Sequence, residues 1–336
     1  MDHNAFFEAL KAGRLEQLYL FQGMEEHVKR SALQRLRAQV LPEGLEPLCE
    51  TVLDSPSADD VVVAAETLPM MGECRLVVVR DSALLLAGRA RDEAADSARL
   101  TEYLPHLPPF ARVVFYCHGQ ADGRKKLTTA LGKLGTVVRF DPLNDAELAR
   151  WMRATLKGHG KTIGATEAQQ LAFTVGRDLT LLSGELAKLA AYLGERTVLE
   201  AEDIERIATR SADCTIFQVV DALVEGREGQ AFSLLYELLG NGEARLGILA
   251  MVLRQYRTLL LLKCMQAENL SRAEQQQRMG LPGFVFTRAQ RQAQAYTLPR
   301  LKGAVALCVE ADYAVKSGRM REEAALERTM LLLSKS

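Results

Sequence analysis

Cysteine is sparse and scattered. The six residues (Cys49, Cys74, Cys117, Cys214, Cys264 and Cys308) stand no closer than 25 positions apart, no Cys-x-x-Cys pair occurs, and only five histidines are available. A zinc ribbon or a thioredoxin-like redox centre needs closely spaced ligands and is excluded. The expectation is buried, reduced thiols and no metal site. Proline is scarce too, at ten residues without a biased tract, which argues against a long disordered arm. No apolar run approaches the ~18 residues that span a bilayer, and MDHNAFFEALKAGRLEQ lacks the basic and apolar regions of a signal peptide. A soluble, cytoplasmic protein without membrane association is therefore expected. Neither sign of charge prevails: 42 Lys+Arg face 43 Asp+Glu, for a formal net charge of −1. That excludes a broadly basic nucleic-acid binder and leaves room only for a local basic face.

What is present is ordinary globular material. A length of 336 residues suggests two or three domains, and 48% hydrophobic with 25% charged residues can build a core without staples. The first ~140 residues alternate two patterns. LYLFQG (18–23), CETVLD (49–54), RLVVVRD (75–81), RVVFYCHG (112–119) and TVVRFD (136–141) are short apolar runs of the kind buried on both sheet faces. Helical stretches lie between them, one being MEEHVKRSALQRLRAQV, so βαβ units and a parallel sheet are expected.

After Asp141-Pro142 clear strands disappear. Asn144 with Glu147 forms a capping box for a helix that stops at Lys157-Gly-His-Gly160. Helices are expected at 166–175, 178–193 and 201–209, then at 214–225, 228–239, 244–268, 272–279, 284–296, 299–317 and 321–334. Ser271 with Glu274 is a second capping box, and Gly226, Gly240, Gly242, Gly280 and Gly318 fall at breaks or C-caps. The expected organisation is an α/β domain over 1–142, a small helical domain over 143–210 and a helical bundle over 211–336.

The loop after the first strand of a βαβ domain is where phosphates are held. A P-loop reads G-x-x-x-x-G-K-[ST], and here Gly23 and Lys29 fall in register. Val28 replaces the second glycine, Arg30 replaces the hydroxyl that would hold Mg²⁺, and Glu25 and Glu26 put negative charge beside the phosphate space. Gly23, Val28, Lys29 and Arg30 thus form a degenerate, non-functional nucleotide site; the plainer reading is a turn and a solvated helix lysine. Asp81, ending the third strand, is one carboxylate without the second that ATP hydrolysis needs, and otherwise starts a turn. Arg177 opens a helix where some ATPases sense phosphate, but with no competent loop opposite it reads as structural. There is no G-x-S-x-G, H-E-x-x-H or G-x-G-x-x-G, and His159 sits in a glycine loop. No catalytic set is found and no cofactor is expected.

Two surface features remain. Ser57-Ala-Asp-Asp60 caps a helix through Val61–Ala65, followed by Leu68-Pro69-Met70-Met71-Gly72. Leu68, Met70 and Met71 would form an apolar, polarizable tip suited to a partner, or else pack under the sheet ahead of the strand at 75–81. Basic residues cluster at Arg124-Lys125-Lys126 and at Lys316, Arg319 and Arg321, where they touch phosphates or simply face solvent.

The ordered set LYLFQGMEEH, LPMMGECRLVVVRD, DLTLLSGELAKLAAYL, TIFQVVDALVEG, LRQYRTLLLLK and EADYAVKSG resembles the delta subunit of the bacterial DNA polymerase III clamp loader along nearly the whole chain. The resemblance implies a degenerate AAA+/RecA-like parallel-sheet domain, an all-α lid and an all-α collar that joins subunits into a ring. It implies a non-hydrolysing subunit that binds the sliding clamp (beta) and opens it during DNA replication. Its partners would be the gamma/tau motor subunits, delta-prime and primer–template DNA, with nucleotidyltransferase activity left to the complex. The family's clamp-binding helix end corresponds to Leu68, Met70 and Met71; the family often has an aliphatic–aromatic pair there, from which Met70-Met71 departs. The competing readings are an active AAA+ ATPase of DNA repair, which needs an intact P-loop and paired acids, and a nucleotide-free regulatory adaptor.

Overall fold

The computed structural model describes residues 1–44, 46–70, 72–86 and 93–335. The chain divides into two compact units, Met1–Leu143 and Asn144–Ser336.

In the first unit the five apolar runs become β1 (Leu18–Gln22), β2 (Glu50–Asp54), β3 (Arg75–Arg80), β4 (Ala111–Tyr116) and β5 (Thr136–Arg139). They form one sheet in the order β2-β3-β4-β1-β5, and every pairing is parallel. Helices α1 (His3–Lys11), α2 (Glu26–Val40), α3 (Glu46–Cys49), α4 (Ala58–Glu66), α5 (Glu93–Tyr103) and α6 (Lys126–Leu134) cover it. Alternation along β1 divides the core. Leu18 and Leu20 join Val77, Val79, Val113 and Phe115 with Val61, Leu100, Leu127 and Leu131 from α4, α5 and α6. On the opposite face Phe6 of α1 packs edge-on to Tyr19 and Phe21, with ring centroids 5.6 and 5.1 Å apart.

The order of strands creates the crevice. From β1 the chain leaves through α2 toward β2 at one edge, whereas from β4 it leaves through α6 to β5 at the other edge. Loops departing in opposite directions from neighbouring parallel strands open a cleft at their carboxyl ends. The first unit is an α/β domain built on one all-parallel sheet.

The second unit is helical: α7 (Asp145–Gly158), α8 (Ala165–Val175), α9 (Leu179–Leu193), α10 (Ala201–Ile207), α11 (Ala212–Val224), α12 (Glu228–Gly240), α13 (Arg245–Ala267), α14 (Arg272–Met279), α15 (Gly283–Gln294), α16 (Leu298–Lys316) and α17 (Glu322–Lys335). The capping boxes at Asn144/Glu147 and Ser271/Glu274 both form. The expectation of no strands here needs correction: β6 (Thr162–Ile163) and β7 (Val198–Leu199) pair in parallel. Two-residue ladders carry no alternation to read. The core joins α11, α12, α13, α15, α16 and α17, and Gln255, Gln292, Tyr256 and Tyr296 are paired within it. Gln255 donates to Gln292 at 2.6 Å, Gln292 donates to the Phe217 carbonyl at 3.0 Å, and the hydroxyls of Tyr256 and Tyr296 meet at 3.1 Å. Among the described residues no helix is long and apolar enough to cross a membrane.

Candidate functional site

The crevice at the ends of β1 and β4 is closed by its own side chains. Gly23 follows β1 with φ +124°, and its N–H donates to the Gly119 carbonyl at 2.7 Å. A Cβ at this position would lie 2.2 Å from the Phe140 carbonyl oxygen, so only glycine fits. One turn into α2, Lys29 is turned inward and is fully buried. Its Nζ donates to the carbonyls of Gly23 and Cys117, both at 2.7 Å, and to Glu26 Oε1, and lies 5.0 Å from the Tyr116 ring centroid. An ammonium has three donors, and all three are engaged, so none is left for a phosphate. Lys29 is therefore a buried strut and not the solvated helix residue that the sequence suggests. A charge can be buried here because two backbone carbonyls and a carboxylate replace its water. Val28 lies in the core of α2, while Arg30 is exposed, so of the four loop residues only Gly23 and Lys29 come together.

Residues that a linear motif does not connect complete the network. Glu26 Oε2 accepts from the Tyr116 hydroxyl at 2.7 Å. Burial, with the hydrogen bond and charge of Glu26 added, holds that phenol far above its ordinary range. His118 Nε2 lies 3.7 Å from Glu26 Oε2, and its Nδ1 lies 2.6 Å from Asp81 Oδ2. Asp81, in the left-handed region at φ +46°, also accepts the His118 backbone N–H at 2.8 Å. It is thus more than a turn starter: it ties the end of β3 to the loop after β4. The Cys117 thiol is pushed up to about 12 by burial, reinforced by the charge of Asp81 and opposed by Lys29. Tyr116, His118 and Glu26 were legible only as the polar end of the fourth apolar run and an acid in a loop. Among the described residues no group of three or more His, Cys, Asp or Glu is arranged to hold a metal ion.

The second candidate lies beyond α4. The helix is fixed at its start by the Ser57/Asp60 capping box and buries Val61, Ala64 and Ala65. Past its end, Leu68 and Met70 are 69% and 74% exposed, and Val63 on α4 is 67% exposed. Leu68 and Met70 therefore do not pack under the sheet. Met71 lies outside the described residues. Gly72, at φ +88°, turns the chain back against Pro42, whose Cγ would lie 2.9 Å from an added Cβ.

Other residues singled out in the sequence are occupied locally. Arg177 pairs with Asp145. Arg124 is held by Asp122 at 2.9 Å, whose carboxyl is drawn down to about 2 by hydrogen bonds from Arg124. Lys316 pairs with Asp312 at 2.8 Å, and the Arg319 guanidinium lies 5.2 Å from the Tyr313 ring centroid. Of the six cysteines, all are free, and Cys264 alone is half-buried where the rest are buried.

A family model described as DNA polymerase III, delta subunit, matches residues 19–141, and one for the DNA polymerase III delta subunit, C-terminal domain, matches residues 213–333. DNA polymerase III subunit delta of Bacillus subtilis (strain 168) is 25% identical over 333 residues, 98% of this chain and 96% of the relative. The solved structure of the Bacillus subtilis DNA clamp loader delta protein superposes with a TM-score of 0.60 at 25% identity, covering 99% of this chain and 100% of that one. Thermotoga maritima RuvB gives a TM-score of 0.40 at 10% identity over 66% of this chain and 73% of its own.

Proposed function

The chain belongs to the family of DNA polymerase III delta subunits, and from that premise we propose that it is the non-hydrolysing clamp-loader subunit that binds the sliding clamp and opens its ring. The observation that carries the proposal is the pair of exposed apolar side chains, Leu68 and Met70, presented beyond a capped and buried helix. With Met71 they are the clamp anchors. Isolated surface apolar residues are common, but a capped helix delivering them together supports a binding tip, where buried anchors supply most of the affinity. Opening then needs only that the tip bind the distorted clamp interface better than the closed one.

Absence of hydrolysis is part of the same proposal. The saturated Lys29 and the missing second carboxylate speak against an active repair ATPase. The partners are the beta clamp, gamma/tau, delta-prime and primer–template DNA. The second unit is read as a lid over 143–210 and a collar over 211–336, following the sheet domain over 1–142.

The test is binding of the purified chain to the cognate clamp without ATP. Wild-type binding that Leu68→Ala/Met70→Ala weakens, with circular dichroism unchanged, is the expected result. No wild-type binding would overturn the proposal in favour of an adaptor with another partner.

A further inference from the structure

We propose that the cleft between α7–α8 and α11–α13 binds a small amphiphile, an apolar body carrying one anionic head. The cleft has a volume of about 520 Å³, within the ~300–1,000 Å³ of pockets that take small molecules. Interiors ordinarily pack with few voids larger than a water, so an opening of this size beside a finished core stands out. Its walls are apolar and include Met152, Phe173, Phe217, Met251, Leu281 and Val285. Met152 and Phe217 are buried, while the other four pack against the helical core and stay partly exposed. The Phe173 ring is held in place, 5.1 Å from the Phe217 centroid and 5.0 Å from the Arg288 guanidinium. Rings offer faces to stack on, and methionines adjust to the shape of a ligand. The walls come from several elements gathered round one hollow, which suits a compact molecule more than an extended chain.

The charged lining residues decide the sign of the head. They form two ion pairs, Arg254 with Asp213 and Arg177 with Asp145. The pairs balance in charge, but their members are not equally able to change partners. Asp213 lies in the first turn of α11 and Asp145 opens α7, where the helix dipole favours a carboxylate without help from an arginine. Arg254 stands well inside α13, and among the described residues its guanidinium has no acceptor besides Asp213. Both side chains of that pair are exposed, and an exposed pair is weak. An anionic head can therefore take the Arg254 fork while Asp213 stays favoured where it is. A cationic head competing for Asp213 would leave Arg254 without an acceptor. The neutral polar groups of the lining are already engaged: Gln255 donates to Gln292 at 2.6 Å, and the Ser211 hydroxyl accepts the Cys214 N–H at 3.3 Å. The rest of the ligand must therefore be apolar.

The inference does not depend on the clamp-binding tip. The full chain is titrated by fluorescence with two probes, anilinonaphthalene sulfonate, which is anionic, and N-phenylnaphthylamine, which is neutral. A single saturable site for the sulfonate is expected. Ala149→Phe/Ala172→Phe fills the cleft from partly exposed wall positions and should weaken both probes at least about tenfold. Arg254→Gln should weaken the sulfonate about three- to fivefold and leave the neutral probe within about twofold. Asp213→Asn removes the competing acceptor and should strengthen the sulfonate by a similar factor, a direction that damage to the fold would not give. Lys133→Gln, exposed on the other unit, should stay within about twofold of wild type. Circular dichroism reports folding, and the two surface substitutions keep the test decisive if the filled variant does not fold. Displacement of the probe by decanoate would identify the body as an acyl chain, and displacement by naphthoate as an aromatic acid; either supports the inference. No saturable wild-type site, a folded filled variant that binds like wild type, equal losses of both probes in Arg254→Gln, or displacement by neither acid would overturn it.

Discussion

The crevice at the ends of β1 and β4 and the tip beyond α4 belong to the same α/β unit and are opposite in kind. In the crevice a fully buried ammonium has each donor matched to an acceptor. At the tip, Leu68 and Met70 leave most of their apolar surface in water. A satisfied polar network has no interaction left to offer a ligand, whereas exposed apolar surface can still release free energy on contact. The contrast teaches that one unit can tie a lysine of its first βα turn wholly to its own carbonyls and carboxylate while leaving apolar side chains without neighbours beyond α4.

The severest way to break the contrast is to empty the crevice. Lys29→Ala strands two carbonyls and Glu26, and unfolding in urea should show a loss of about 3–5 kcal/mol, with no nucleotide binding gained by calorimetry. Gly23→Ala forces a Cβ onto the Phe140 carbonyl at an unfavourable φ, and the same assay should show a loss of about 2–4 kcal/mol. At the tip the signs reverse. Leu68→Ala/Met70→Ala should change stability by less than about 0.5 kcal/mol while clamp affinity falls about 10- to 100-fold by surface plasmon resonance. Loss of stability there would show that the tip is structural.

The smallest effect concerns alkaline pH. The thiols of Cys117 and Cys308 are pushed up to about 12 by burial, whereas an unfolded thiol titrates near about 8.5. Above that pH the unfolded chain loses protons that the folded one keeps, so their stabilising contribution, full below about 8.5, declines as pH rises toward about 12. Cys308→Ala should make the fall in urea midpoint between about pH 8.5 and 10 shallower.

Local patterns carried most of the fold. Each of the five strands begins within one residue of its apolar run, and the Ser57 cap and the Asn144 and Ser271 capping boxes were visible because partners three residues apart need no tertiary information. The tip was legible as candidate residues, but its exposure was not: the same Leu-Pro-Met fits a core or a surface. The crevice was legible as a broken motif, yet Lys29 was misread, because its acceptors include the carbonyl of Cys117, 88 positions away.

The inward turn of Lys29 has a consequence in time as well as in space. A phosphate-binding lysine normally alternates between two conditions, occupied and vacant, and its domain keeps time with the cell's fuel. This one carries its counter-charge within its own turn of helix, with Glu26 three residues before it. On the function proposed above, the moment at which the tip engages the clamp is then set from outside the sheet domain.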